Sequence, residues 1–161
     1  MAQYKLIKLK RLTIIYRMIQ VALLGLFMFM AFNFMQLFGK LGTPDYFFKA
    51  LMISLMIQLI LLYPAWLLAG RDLEVEIETG RSDITPEQLV TLRRKRLLGD
   101  LWKISGLGFF IMFIIMAPDA NKGRGASLFL AAAYFSFLLT TLTYLQCFNL
   151  RAARRRKKLS D

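Results

Sequence analysis

Four uncharged apolar runs, separated by charge-bearing segments, set the limits on what this chain can fold into. The first, Met18 to Gly39, is 22 residues long. At about 1.5 Å per helical residue it covers roughly 33 Å, enough for a bilayer core of about 30 Å. The second, Ala50 to Gly70, follows a short Gly- and Pro-bearing connection, Lys40 to Lys49. The third, Ile104 to Pro118, has only 15 residues, so its span is expected to begin near Leu97 and to carry Asp100 and Lys103 into the headgroup zone. The fourth, Gly125 to Leu150, is uncharged for 26 residues and is long enough to tilt. A secretory signal has a shorter apolar core and a small-residue cleavage site, so the first run reads as an uncleaved span.

The expected fold is therefore an all-α membrane protein, with four transmembrane helices forming two helical hairpins. A charged cytoplasmic loop containing an amphipathic helix joins them. The chain divides into a basic amphipathic N-terminal lead (1–17), a first hairpin (18–70), the cytoplasmic loop (71–103), a second hairpin (104–150) and a basic tail (151–161). The lead can lie along the cytoplasmic headgroups. Pro64, near the end of the second span, withholds a backbone donor and should bend that helix.

Composition agrees with this assignment. The chain of 161 residues is 57% hydrophobic and carries a net charge of +12. A surplus of that size suits nucleic acid until its placement is considered. The basic residues flank the apolar runs and leave them uninterrupted, which is how membrane proteins distribute Lys and Arg. No nucleic-acid partner is expected. Basic residues near span ends are retained on the cytoplasmic side, and here the lead, the middle segment and the tail hold eighteen of them, against four in the two other connections. Four spans with both termini cytoplasmic satisfy that split, and the setting it implies is the bacterial inner membrane.

The middle segment has two halves. In Leu73-Glu74-Val75-Glu76-Ile77-Glu78, aliphatic and acidic residues alternate with period two, the pattern of a short extended segment with three carboxylates on one face. Thr79-Gly80 supplies a turn. Thr85-Pro86-Glu87-Gln88 then reads as a helix start, with Thr85 as N-cap, Pro86 at the first helical position and Gln88 closing a capping box. The helix that follows bears Arg93, Arg94, Lys95 and Arg96 and is expected to lie on, or rise out of, an anionic membrane surface. The acidic face can pair with these cations or with another subunit, and pairing within the loop is the simpler arrangement.

Chemistry-bearing patterns are scarce. There is one cysteine and no histidine, so no disulfide, haem, zinc or iron-sulfur site is indicated, and no cofactor is expected. No Asp, Glu, Lys or Arg interrupts the uncharged cores, which argues against a proton-coupled relay. Gly-rich phosphate loops and nucleophile-base pairs are missing too.

Weaker features remain. Asn33 and Gln36 sit on one face of the first span among phenylalanines, and Ser54 and Gln58 form a similar pair on the second. The four can line a polar path, but amides and hydroxyls in spans more often hydrogen-bond neighbouring helices. In the fourth span Ala132, Ser136, Thr140, Thr143 and Cys147 recur at steps of four and three, a small-residue stripe that admits close helix packing within the chain or with a partner. Gln146 and Asn149 lie near the cytoplasmic end of that span. In the tail, Arg154, Arg155, Arg156, Lys157 and Lys158 suit anionic headgroups, and topological anchoring explains such a run equally well.

These readings lead to a non-catalytic accessory or scaffold subunit of a larger membrane assembly, with membrane lipids and other membrane subunits or further copies of itself as partners. The alternative is a small oligomeric channel or transporter lined by the polar residues of the first two spans. An enzyme acting on lipid headgroups ranks third, with Asp72 and Asp100 as its only carboxylates near the membrane surface.

Overall fold

The computed structural model describes residues 2–79, 84–116 and 124–160. Four long helices account for nearly all of them: α1 (Ala2–Lys40), α2 (Asp45–Glu78), α3 (Pro86–Met116) and α4 (Arg124–Ser160), with no strand among the described residues. Leu9–Lys40, Asp45–Glu78 and Ser127–Lys157 are long and apolar enough to cross a membrane. Helix α3 carries Arg93 to Lys103 in its first half and is uncharged over 104–116. Gly80 and most of the connection from Asp119 to Arg124 lie outside the described residues.

The α1–α2 connection is as tight as its composition requires. Gly42 adopts φ +68, a left-handed conformation open to glycine at little cost. Around it the Thr43 amide donates to the Phe38 carbonyl (2.9 Å) and the Gly42 amide to the Gly39 carbonyl (3.1 Å), the paired bonds of a Schellman ending. Asp45 then places a carboxylate in the first turn of α2.

Helix α4 lies against both arms of this hairpin, and its most extensive contact is with α2. The two run parallel. Ser54 meets Ala132, Gln58 meets Thr140 and Thr143, and Gly70 meets Arg151, so both chains advance together. Helix α1 runs the other way along α4, with Phe27 on Phe135 and Tyr16 on Phe148. Helices α1, α2 and α4 thus pack together as a bundle. Helix α3 runs antiparallel to α2, and among the described residues its closest polar contacts join Arg96 to Glu76 and Lys103 to Asp72.

Two apolar clusters hold the bundle. Toward the α1–α2 connection, Phe34, Phe38, Ala50, Ala131, Ala132 and Phe135 are buried together, with Phe27, Phe47 and Tyr134 packed around them. Phe34 and Phe135 meet edge-on at 5.6 Å, the arrangement that ring quadrupoles favour. At the other end, which carries both chain termini and is called basal below, Leu9, Ala69, Leu73, Phe148 and Ala152 form the second cluster. Alanines at 50, 69, 131, 132 and 152 are what allow the helices to approach so closely.

At the basal end residues 1–17 continue into the first span as one helix, Ala2 to Lys40, and Leu9, Leu12 and Tyr16 pack in one cluster with Leu73, Ile77 and Phe148. One expectation is corrected there. Leu73 to Glu78, expected to be extended, continue α2 as helix to Glu78. Period-two alternation is a weak signal when a helix already enters the segment and its neighbours extend equally far. Leu73 and Ile77, four apart, then share one buried stripe with Ala69. Tertiary burial outweighs the strand preference of Val75 and Ile77. Pro64 is accommodated within α2 without ending it.

The first basal charges of the three packed helices fall at nearly one level. Arg17 follows Tyr16, which stacks on Phe148 at 4.7 Å, and Arg151 lies three residues beyond Phe148 and against Gly70, beside Arg71. Three residues of helix are about 4.5 Å. From there to Ala50 the α2 run is charge-free over roughly 30 Å, the thickness of a bilayer core.

Candidate functional site

Polar side chains within the bundle form three tiers. In the tier nearest the α1–α2 connection, the Ser54 hydroxyl is fully buried and bonds both the Ala50 carbonyl of its own helix (2.7 Å) and the Ala132 carbonyl of α4 (3.0 Å). One turn on, Gln58 accepts from the Thr140 hydroxyl (3.0 Å) and donates to the Thr143 hydroxyl. The α4 stripe therefore faces α2. Ser136 bonds the Ala132 carbonyl (2.7 Å), and Cys147 is half-buried beside the basal apolar cluster.

Asn33 and Gln36 do not join this tier. Both are exposed on α1, and the Asn33 amide bonds its own helix at Phe29 (2.8 Å). Among the described residues no hydrogen bond links them to Ser54 or Gln58 within one copy of the chain. The neighbouring phenylalanines divide in the same way: Phe27, Phe34 and Phe38 turn into the core, while Phe29 and Phe32 face outward.

The second tier joins α1 to α4. Gln20 donates to Gln146 (2.8 Å) and accepts from Asn149 (3.2 Å), which leaves the buried Asn149 Oδ1 without a partner. Gln146 and Asn149 were legible as polar residues near the end of their span. Gln20 was not singled out, because one amide in an apolar run carries no spacing signal.

The basal tier is ionic and centres on Asp72. Its Oδ2 accepts from the Tyr144 hydroxyl (2.6 Å) and from Lys103 Nζ (2.7 Å), and Arg71 lies 3.6 Å from Oδ1. The Asp72 side chain is only 14% exposed, against 44% for Lys103, so the carboxylate is the enclosed member and the ammonium closes it from outside. Lys103 also lies over the Tyr144 ring and 3.6 Å from Asp100. Arg96 bridges Glu76 (3.2 Å) and Asp100 (3.9 Å). Gly99 lets α3 approach, since a Cβ there would stand 3.0 Å from Arg71 Nη2 and 3.1 Å from Asp72 Oδ1. The tier thus ties α2, α3 and α4 together through side chains of both signs.

The sequence pattern brought Asp72, Asp100, Lys103 and the Arg93–Arg96 run into view. Tyr144, inside an uncharged span, gave no sign of pairing with a carboxylate. Helix α3 opens as expected: the Gln88 amide bonds the Thr85 hydroxyl and the Thr85 amide bonds the Gln88 side chain, each at 3.3 Å. Of the cationic run, Arg96 is engaged, and Arg93, Arg94 and Lys95 are exposed. Glu74 and Glu78, four apart on the helix, are exposed too, so the three carboxylates do not share a face. In the tail Arg154, Arg155 and Lys157 are exposed and Arg156 is half-buried with its Nε enclosed, while the side chain of Lys158 lies outside the described residues. Among the described residues no three Cys, Asp or Glu side chains converge as metal ligands would.

No protein-family model, curated protein or solved structure matches the chain.

Proposed function

We propose that this protein is a non-catalytic accessory or scaffold subunit of a larger membrane assembly, seated in a bacterial inner membrane with four spans and both termini in the cytoplasm. The observation that carries the role is where its polar groups go. Ser54, Gln58, Thr140 and Thr143 spend their hydrogen bonds joining α2 to α4, and Asp72, Tyr144 and Lys103 join α2, α4 and α3. Groups committed to holding helices together suit a frame better than a moving or reacting site.

The four-span arrangement draws support from direction. Helices α2 and α4 run parallel, so if both cross, the chain between them must return through the layer, and α3 is the helix that intervenes. The arginine and lysine bias sets the orientation. Since the α4 stripe is occupied by α2, the surfaces left for partners are the basal cations Arg93, Arg94, Lys95, Arg154 and Arg155 together with the outer face of α3.

The channel reading keeps one supporting observation, the exposure of Asn33 and Gln36 on α1, where several copies would bring them together. Native mass spectrometry of the tagged protein, extracted in mild detergent at its natural expression level, separates the two. Unrelated subunits at fixed stoichiometry are the expected result. A homo-oligomer free of other proteins overturns the scaffold role and directs flux assays to Asn33 and Gln36 variants.

A further inference from the structure

At the basal end of the α2–α4 interface a guanidinium lies without an ionic partner. The Arg151 side chain is stacked on the Trp66 ring, 3.8 Å from its centroid, and one of its nitrogens occupies the space where a Cβ on residue 70 would stand. Glycine at 70 is what makes that position available. Among the described residues Arg151 has no carboxylate within ion-pairing distance and no hydrogen-bond acceptor, in contrast to Arg71, Arg96 and Lys103. Contact with an aromatic face uses none of a guanidinium's N–H donors, and those not turned into the Gly70 notch match the oxygens of a phosphate.

The surface leading to it is apolar and continuous. Leu59, Tyr63 and Trp66 recur at steps of four and three on α2, and Gly70 follows four residues later, so all lie along one stripe of the helix. Leu59, Tyr63 and Trp66 are each exposed by about half or more, and Tyr63 stacks on Trp66 at 6.4 Å. An unpaired cation at the foot of an exposed apolar stripe, where the charge-free run of α2 ends, has the layout of a lipid with its chains along the helix and its phosphate at the end.

We infer that Arg151, on its Trp66 platform and in its Gly70 notch, binds the phosphate of an anionic glycerophospholipid of the inner leaflet, whose acyl chains lie along Leu59 and Tyr63. The inference rests on the membrane setting proposed above and is independent of the scaffold role. The recognising chemistry is a phosphate ester. The lipid is favoured over free phosphate because the apolar stripe has no use for a bare ion.

The test is native mass spectrometry of the full-length protein from mixed micelles with equal phosphatidylglycerol and phosphatidylcholine, reading bound lipid as well as subunit mass. Wild type should retain phosphatidylglycerol in preference to phosphatidylcholine. Arg151→Gln should lower that retention about fivefold, the worth of one cation at a membrane surface. Lys40→Gln, an exposed cation at the opposite end of the bundle, should leave it unchanged. Gly70→Ala, which displaces the guanidinium without altering charge, should behave as Arg151→Gln does, and a melting temperature near wild type for either variant marks it as folded. Equal retention by wild type and both folded variants overturns the site, as does indifference between the two lipids. Lipid-free protein stabilised by inorganic phosphate through Arg151 would instead assign the site to a free ion and overturn the lipid.

Discussion

The pairing of Lys103 with Asp72 should be measurable as a coupling energy. At 2.7 Å and an effective dielectric of about 20, two unit charges attract by about 6 kcal/mol before any cost is counted. Desolvation of the enclosed carboxylate and the loss of lysine rotamers offset most of that. Exposed pairs retain about 0.2–1 kcal/mol, and breaking a buried pair costs about 3–5 kcal/mol. With Asp72 14% exposed and Lys103 44% exposed, the pair falls between these limits, and a coupling of about 1–2 kcal/mol is expected. The cycle is built from Asp72→Asn, Lys103→Met and the double variant. Asparagine keeps an acceptor for the Tyr144 hydroxyl, so the cycle isolates charge. Reversible unfolding in mixed micelles supplies the free energies. Asp100→Asn with Lys103→Met is the control, because that pair is 3.6 Å apart with Asp100 52% exposed, and its coupling should stay below about 0.5 kcal/mol. A coupling for Asp72 no larger than the control would refute the claim that this contact fastens α3 to the bundle.

Two further outcomes concern the bundle itself. Gln58→Met should lower stability by about 1 kcal/mol, the scale of an interhelical hydrogen bond within a membrane, whereas Gln36→Met should stay within about 0.5 kcal/mol; the same unfolding assay compares them. Gly42→Ala forces a side chain into φ +68 and should cost about 1 kcal/mol, seen as faster hydrogen exchange at the Gly42 and Thr43 amides.

Much of the fold was legible in residue types that act locally. The turn at Gly42, the helix start at Thr85 and Pro86, and the three long apolar runs depend on a few neighbouring residues and need no knowledge of partners. What was not legible depends on other helices. Leu73 to Glu78 alternates like a strand, and it becomes helix because α1 and α4 extend beside it and bury Leu73 and Ile77. The small residues of α4 marked a packing face but could not say which helix fills it; that was decided by Ser54 and Gln58, whose partners lie some eighty residues away. Asp72 stood out as a carboxylate near the membrane surface, yet its link to Tyr144 spans 72 positions and leaves no local pattern. Arg151 read as the first residue of a basic tail, and only the approach of Gly70 and Trp66 sets it apart from the arginines that follow.

The orientation, and the placing of α2 and α4 as parallel spans, require that the chain cross the membrane four times, with α3 as the third crossing. Reporter fusions test this most directly. Fusions at Pro44 and Lys122 should report outside, and fusions at Gly80 and after the C-terminus should report the cytoplasm. A cytoplasmic signal at Lys122 would contradict the crossing by α3, and with it the parallel placement of α2 and α4 as two spans of one membrane protein.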